Sequence, residues 1–154
     1  MRVYRDRSAD WLWLLRRYLG ASLVAHLGWE TLQLPLYTLW STGTIRQQAF
    51  AVVHCTLGDL MIAGLSLLLA LALFARATWP GESGTQVYLA SLAFGIGYTI
   101  YSEWLNVNVR GSWAYSDLMP VVPVIGTGLA PLSQWAFVPT LALWVASGGR
   151  RSGP

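Results

Sequence analysis

Four long apolar segments constrain this chain more than any other feature of its sequence. They run over residues 11–40, 47–74, 87–106 and 120–147. Each reaches the roughly 20 mostly apolar residues that a helix needs to cross the hydrocarbon layer of a membrane. Only 11% of the residues are charged, whereas soluble domains average about 25%. The segments therefore predict an all-helical fold, an integral membrane four-helix bundle in which residues 1–154 form one domain.

The arginines predict how these helices are oriented. All ten basic residues are arginine, and eight of them lie before or early in the first segment, between the second and third, or after the fourth. Only Arg46 and Arg110 lie in the other two loops. Because basic residues stay on the cytoplasmic side, both termini are expected in the cytoplasm. The net positive charge of the chain then reflects its orientation in the membrane and its contact with anionic lipid, and no nucleic-acid partner is expected.

Prolines and glycines predict two irregular places. Pro35 has no amide hydrogen, so the first helix is expected to bend just past Glu30. The fourth segment is interrupted by Pro120, Pro123, Gly126, Gly128, Pro131 and Pro139. This composition predicts a broken fourth helix with a partly unwound or re-entrant start. In a membrane, such backbone is tolerated only where it is buried in protein or lines a wet cavity.

Polar and ionisable residues inside the apolar segments are the main functional signal. His26, Glu30, Gln33 and Tyr37 follow one another at intervals of four, three and four, which places them on one face of the first helix. A charged group at the centre of a membrane costs at least about 2.5 kcal/mol on insertion scales, so such residues are functional candidates by default.

The other three segments carry polar residues as well. These are His54, Cys55, Asp59, Thr99, Glu103, Asn106, Thr127 and Gln134. Polar stripes on four helices predict one internal cavity that opens toward the outer side. Its expected lining residues are His26, Glu30, Gln33, His54, Asp59, Glu103 and Gln134.

Each candidate also has a plain structural interpretation. His26 and Glu30 could hydrogen-bond as polar contacts between helices, and Glu103 could pair with Arg110. Asp59 has no basic partner in the sequence, which favours a protonated or ligand-bound side chain. The candidate catalytic residues are Glu30, His26, Asp59, His54 and Glu103. The candidate substrate contacts are Gln33, Tyr37, Trp29, Tyr98, Trp104, Asn106, Gln134 and Trp135.

Three chemistries fit this set of residues. A carboxylic acid kept neutral in an apolar site can protonate an alkene or epoxide, while a nearby base collects the proton lost later. This would be isomerisation or cyclisation of a lipid and needs no cofactor. Alternatively, His26 and His54 could ligate a haem or a metal ion. Thirdly, Glu30 or Asp59 could serve a proton-coupled carrier, which would require a homodimer.

Two short resemblances favour the first of these chemistries. The stretch "HLGWE", followed by Gln33 and "PLY", resembles the acid-bearing helix of membrane-bound terpene cyclases of meroterpenoid pathways, which implies Glu30 as a proton donor. The spacing of His26 and Glu30, together with "QWAFVP", resembles sterol isomerase (EXPERA) domains. That likeness implies His26 as the partner of Glu30, and Trp135 as an aromatic face that stabilises a cation.

As a whole, the chain resembles small bacterial four-span membrane proteins with "WE", "LPLY", "HC", "GD" and "SEWLN" blocks. This likeness implies the bacterial inner membrane as location but no activity. The leading expectation is an enzyme that acts on an isoprenoid or sterol-like substrate among membrane lipids. A haem, metal or carrier protein and a non-enzymatic membrane subunit remain as alternatives.

Overall fold

The predicted all-helical fold is confirmed in the part of the chain that can be described. This computed structural model describes residues 7–76, 79 and 83–148. Five α-helices are present there: α1 (Arg7–Gln33), α2 (Leu39–Thr42), α3 (Ile45–Phe74), α4 (Gly84–Glu103) and α5 (Leu129–Ser147). These ranges hold no strand, only isolated bridges between Tyr37 and Tyr115 and between Val121 and Gly128.

Two short helical turns extend the long helices. A 3-10 turn, Leu34–Leu36, follows α1, and a π-helical turn, Trp104–Val109, follows α4. The start of α3 is fixed by a capping box. The Thr44 hydroxyl accepts a hydrogen bond from the backbone N–H of Gln47, and the side-chain oxygen of Gln47 accepts one from the backbone N–H of Thr44. A capping box satisfies two N–H groups that a helix start otherwise leaves unpaired.

The four long helices pack in a ring. α1 lies against α3 and α5, and α4 lies against the same two helices. The apolar core occupies the half where α1 and α4 begin and α3 and α5 end, with Leu14, Tyr18, Leu67, Val87 and Ala146 buried there. The opposite half, where α1 and α4 end and α3 and α5 begin, holds the buried acids Glu30 and Glu103.

Much of the apolar surface of the long helices faces outward. α3 and α5 are long and apolar enough to cross a membrane, as judged by length and composition among the described residues. Their exposed side chains include Leu57, Met61, Leu65, Phe137 and Trp144. Only 22% of the most apolar stretch of α3 is buried within the protein, so most of its hydrophobicity does not serve the core.

The first helix ends earlier than its apolar segment predicts. α1 stops at Gln33, and Pro35 lies in the 3-10 turn that follows, so the chain breaks where a bend in a continuing helix was expected. Pro35 cannot donate a backbone hydrogen bond to the preceding turn. Of the residues predicted to end this helix, only Leu39 and Trp40 are α-helical, and they belong to the short α2.

The fourth segment also differs from its predicted bounds. Residues 120–128 are not α-helical, and α5 begins only at Leu129, in agreement with the predicted unwound start. Pro131 lies in the first turn of α5, where a missing amide hydrogen costs little. Pro139 is tolerated inside the helix. Several arginines used for the orientation prediction, namely Arg2, Arg5, Arg150 and Arg151, lie outside the described residues.

Candidate functional site

A cavity of about 840 Å³ lies in the half of the molecule opposite the apolar core. All four long helices contribute to its wall, as do α2 and the irregular chain that precedes α5. Three acids line it: Glu30 from α1, Asp59 from α3 and Glu103 from α4. The cavity therefore gathers the acids that the sequence distributes over three separate segments.

Gln134 on α5 links the deepest polar groups. Its amide nitrogen, Nε2, lies 2.8 Å from Nδ1 of His26, 3.1 Å from Oε1 of Glu30 and 2.8 Å from Oδ2 of Asp59. Gln134 is almost completely buried. One side chain thus connects α1, α3 and α5, and we call these four residues the Gln134 cluster.

The hydrogen atoms in this cluster can be counted. An amide NH₂ group has two N–H donors, whereas three acceptor atoms surround the Gln134 nitrogen. Glu30 also accepts from the side-chain amide of Gln33, so the two N–H groups of Gln134 are sufficient for Asp59 and His26. Two carboxyl groups at one site avoid being charged together, and sharing one proton relieves their repulsion. Glu30 and Asp59 are therefore a pair suited to hold and exchange one proton.

His26 belongs to the cluster but lies behind the cavity wall. It is fully buried, its ring packs 5.8 Å from that of Trp135, and it does not line the cavity. Its Nδ1 is 3.6 Å from Oδ2 of Asp59. His26 can therefore influence the acids through Gln134 and Asp59 without touching a molecule in the cavity.

Glu30 is held by a second amide. Gln33, one turn later on α1, donates from Nε2 to Oε1 of Glu30 over 2.6 Å. Trp29 in turn donates to the Gln33 side-chain oxygen over 3.2 Å and stacks on Phe137 of α5, with ring centroids 6.0 Å apart. This chain of contacts orients the carboxyl group of Glu30 toward the cavity, although Trp29 itself does not line it.

Glu103 forms a separate polar site in the wall of the cavity. Its carboxylate accepts a hydrogen bond from the Tyr115 hydroxyl, which also accepts from the backbone N–H of Gly128 over 2.9 Å. Burial raises the pKa of Tyr115, and the neighbouring Glu103 raises it further. The phenol therefore remains a donor at neutral pH. The expected pairing of Glu103 with Arg110 is replaced by this contact with Tyr115.

Backbone contacts hold the irregular segment before α5 over the end of α1. The Thr38 amide donates to the Ala114 carbonyl over 3.0 Å, and the Ser116 amide donates to the Leu36 carbonyl over 2.9 Å. The rings of Tyr37 and Tyr115 pack 5.6 Å apart between them. Leu34 and Tyr37 near the first chain break, and Ser112 and Trp113 after α4, line the cavity beside these contacts.

The structure brings most of the predicted site residues to one place. All the residues expected to line the cavity do so except His26. Of the predicted substrate contacts, Trp29 and Trp104 do not line it; those that do are Gln33, Tyr37, Tyr98, Asn106, Gln134 and Trp135.

His54 lines the cavity but lies outside the Gln134 cluster. It is exposed and stacks on Phe50, with ring centroids 5.5 Å apart. Since His26 lies behind the wall, the two histidines do not present paired ligands to a group bound in the cavity. Among the described residues, no group of three or more His, Cys, Asp or Glu side chains is arranged to hold a metal ion.

Sequence reasoning did not select four residues that help to form the site. Arg46, Arg110 and Trp113 line the cavity, and Tyr115 holds Glu103. Three of the four belong to the polar and aromatic stretch after α4, which composition alone marks only as interfacial. The signal available in the sequence was that this dense polar stretch directly follows the intramembrane acid Glu103. In the structure the stretch begins with a π-helical turn, and such turns are frequent at functional sites.

Comparisons with protein-family models, with curated proteins and with solved structures found no match to this chain.

Proposed function

We propose that this protein is a membrane-embedded enzyme that isomerises or cyclises an isoprenoid or sterol-like lipid by proton transfer. The observation that carries the proposal is the Gln134 cluster, in which two acids from different helices meet around one amide at the floor of a large cavity. Acids paired in this way suit general acid and base chemistry.

A position across the membrane is supported by the distribution of apolar side chains. The outward faces of α3 and α5 carry many exposed large hydrophobic residues, and patches of that kind on a soluble protein would be sites of association. Helices α1, α3 and α4 have 27, 30 and 20 residues and α5 has 19. Each is long enough to cross about 30 Å of hydrocarbon at 1.5 Å per residue. We therefore infer a four-span protein of the bacterial inner membrane.

The proposed reaction begins with a proton from the Glu30 and Asp59 pair. One acid donates its proton to an alkene or epoxide, which produces a carbocation on the substrate. A neighbouring carbon then loses a proton to a carboxylate of the same pair, and a new double bond forms. The proton count of the enzyme is restored, so no oxidant, reductant or further reactant is needed.

The cavity wall supplies aromatic faces for such a cation. Trp135 is buried in α5 and lines the cavity beside the Gln134 cluster, and Tyr98 and Trp113 line it as well. An aromatic face attracts a cation within about 6 Å of its centroid by roughly 2 kcal/mol when water is excluded. The same apolar surroundings keep water from capturing the cation before a proton is lost.

Glu30→Gln tests this proposal, because the amide preserves shape and hydrogen bonding but cannot donate an acidic proton. The expected result is a loss of turnover of at least about a hundredfold, the usual contribution of a general acid. Lipids from a deletion strain that carries each variant would be compared by mass spectrometry, and detergent-solubilised protein would be checked for folding. Asp117→Asn is the matched control, since Asp117 is exposed and does not line the cavity. A Glu30→Gln variant that restores the wild-type lipid profile would refute the proposal.

A further inference from the structure

Two arginines lie at the mouth of the cavity, and we propose that they bind the anionic head group of an amphiphilic lipid whose apolar chain reaches the Gln134 cluster. The residues are Arg46 and Arg110, and both line the cavity. This inference rests on the proposed function, because it takes the cavity to be the substrate site. It adds the class of substrate: a phosphate or carboxylate attached to a long isoprenoid chain.

The two arginines lie at the same end of the molecule. Arg46 is in the first turn of α3, and Arg110 directly follows the π-helical turn that ends α4. α3 and α4 pack against each other and are joined at their opposite ends, so the start of one lies beside the end of the other. Both side chains are exposed there, as expected of groups that receive a ligand from outside.

The charges of these arginines are not balanced by neighbouring acids. Among the described residues, neither arginine forms a salt bridge with an acid, and Glu103, which the sequence offered as a partner for Arg110, is bound by Tyr115. Arg46 also lies at a helix N-terminus, where the partial positive charge of the backbone adds to its own and favours an anion. Guanidinium groups bind phosphate and carboxylate in two-pronged geometry. The mouth of the cavity is therefore selective for anions.

The distance from the mouth to the floor matches a lipid chain. Thirteen residues separate Arg46 from Asp59 along α3, which is about 20 Å at 1.5 Å per residue. Apolar and aromatic side chains line the cavity between them, among them Leu34, Phe50, Val52 and Tyr98. A molecule that fits has an anionic head at the arginines and an apolar chain along this wall. Its tail end then meets Glu30 and Asp59, so protonation starts at the tail and the head group stays attached.

The shared chemistry is an anionic group on an amphiphile, and a free substrate and a membrane phospholipid could both supply it. Binding of three probes with the same prenyl chain, farnesyl phosphate, farnesoic acid and farnesol, would be measured with the protein in neutral phosphatidylcholine nanodiscs. Tryptophan fluorescence reports binding, since Trp113 and Trp135 line the cavity. We expect the two anions to bind at least about tenfold more tightly than the alcohol. This preference should weaken as salt is added.

The combined variant Arg46→Gln with Arg110→Gln should abolish the preference for anions and leave farnesol binding unchanged. Arg76→Gln is the matched control, because Arg76 is exposed at the opposite end of the molecule and does not line the cavity. Equal binding of farnesol and farnesyl phosphate by the wild-type protein, independent of salt, would overturn the proposal even if no variant could be purified. A loss in Arg76→Gln equal to that in the double variant would also overturn it.

Two further comparisons identify the source of the anion and separate head-group binding from catalysis. In the first, phosphatidylglycerol is added to the nanodisc. If it displaces farnesyl phosphate from the wild type, the anion is a membrane lipid head group, and if it does not, the anion belongs to a free amphiphile. Either result supports an anion site. Turnover is tested with Glu30→Gln, whereas the preference for anions is tested with the two arginines, so each proposal has its own variant and its own measurement. The proposed catalysis and the proposed head-group site can therefore fail independently.

Discussion

Gln134 is the residue on which the arrangement of the two acids depends. Its amide is the donor shared by His26, Glu30 and Asp59, and it is almost entirely buried. Gln134→Ala should lower the free energy of unfolding by about 1–3 kcal/mol, because buried acceptors lose their partner. Thermal unfolding in detergent measures this loss. Ser133→Ala is the control, at the half-buried neighbouring position, and its free energy of unfolding should stay within about 0.5 kcal/mol of the wild-type value.

A double-mutant cycle distinguishes this role from simple loss of packing. Once Asp59→Ala has removed one acceptor, Gln134→Ala should cost less than it does alone, with a coupling of about 0.5–3 kcal/mol. Strict additivity of the two changes would show that Gln134 does not act through the acids, and that its effect comes from the space its side chain fills.

At the scale of the elements, one close approach sets the spacing of α4 and α5. A Cβ atom on Gly95 of α4 would overlap the ring of Trp135 on α5. That ring is fully buried and packs against His26, so it has little room to move. Gly95→Ala should therefore destabilise the protein by about 1–3 kcal/mol through overpacking.

Gly97 provides a control on the same helix. A Cβ atom there would meet nothing within 4 Å, and alanine is favoured over glycine inside helices by about 1 kcal/mol. Gly97→Ala should thus leave the melting temperature unchanged or raise it, whereas Gly95→Ala should lower it. If both variants melt alike, the contact between Gly95 and Trp135 does not determine how α4 and α5 pack.

At the scale of the whole molecule, the four-span proposal makes the two ends of the helix ring face opposite sides of the membrane. Thr42 at the end of α2 and Arg76 after α3 lie at these two ends and are exposed. In a Cys55→Ser background, which removes the single cysteine, Thr42→Cys should react with a membrane-impermeant maleimide in intact spheroplasts. Arg76→Cys should react only after the membrane is opened, because the positive-inside rule puts that end in the cytoplasm. Labelling of both from outside, or neither after opening, would contradict this topology.

The helices and the positions of the polar residues could be predicted from the sequence, since both depend on local patterns. Apolar runs of sufficient length indicate helices, and the spacing of His26, Glu30 and Gln33 indicates a shared face. The early end of α1 was harder to predict, because whether a proline bends or ends a helix depends on what packs beside it. Here the segment that contains Ala114 and Ser116 packs there. The helix ends were thus predicted less accurately than the helices themselves.

Only the tertiary structure decided which polar residues meet. Gln134 and His26 are 108 residues apart in the chain, and Gln134 and Asp59 are 75 apart, so no local pattern specifies their contact. That contact depends on the ring order of the helices and on their rotation about their own axes, which the packing of small and aromatic side chains determines. The same packing turned Glu103 toward Tyr115 rather than Arg110 and placed His26 behind the cavity wall. The sequence by itself therefore determined the helices and the supply of polar groups, while packing between distant segments decided which of those groups are hydrogen-bonded to one another and which face the cavity.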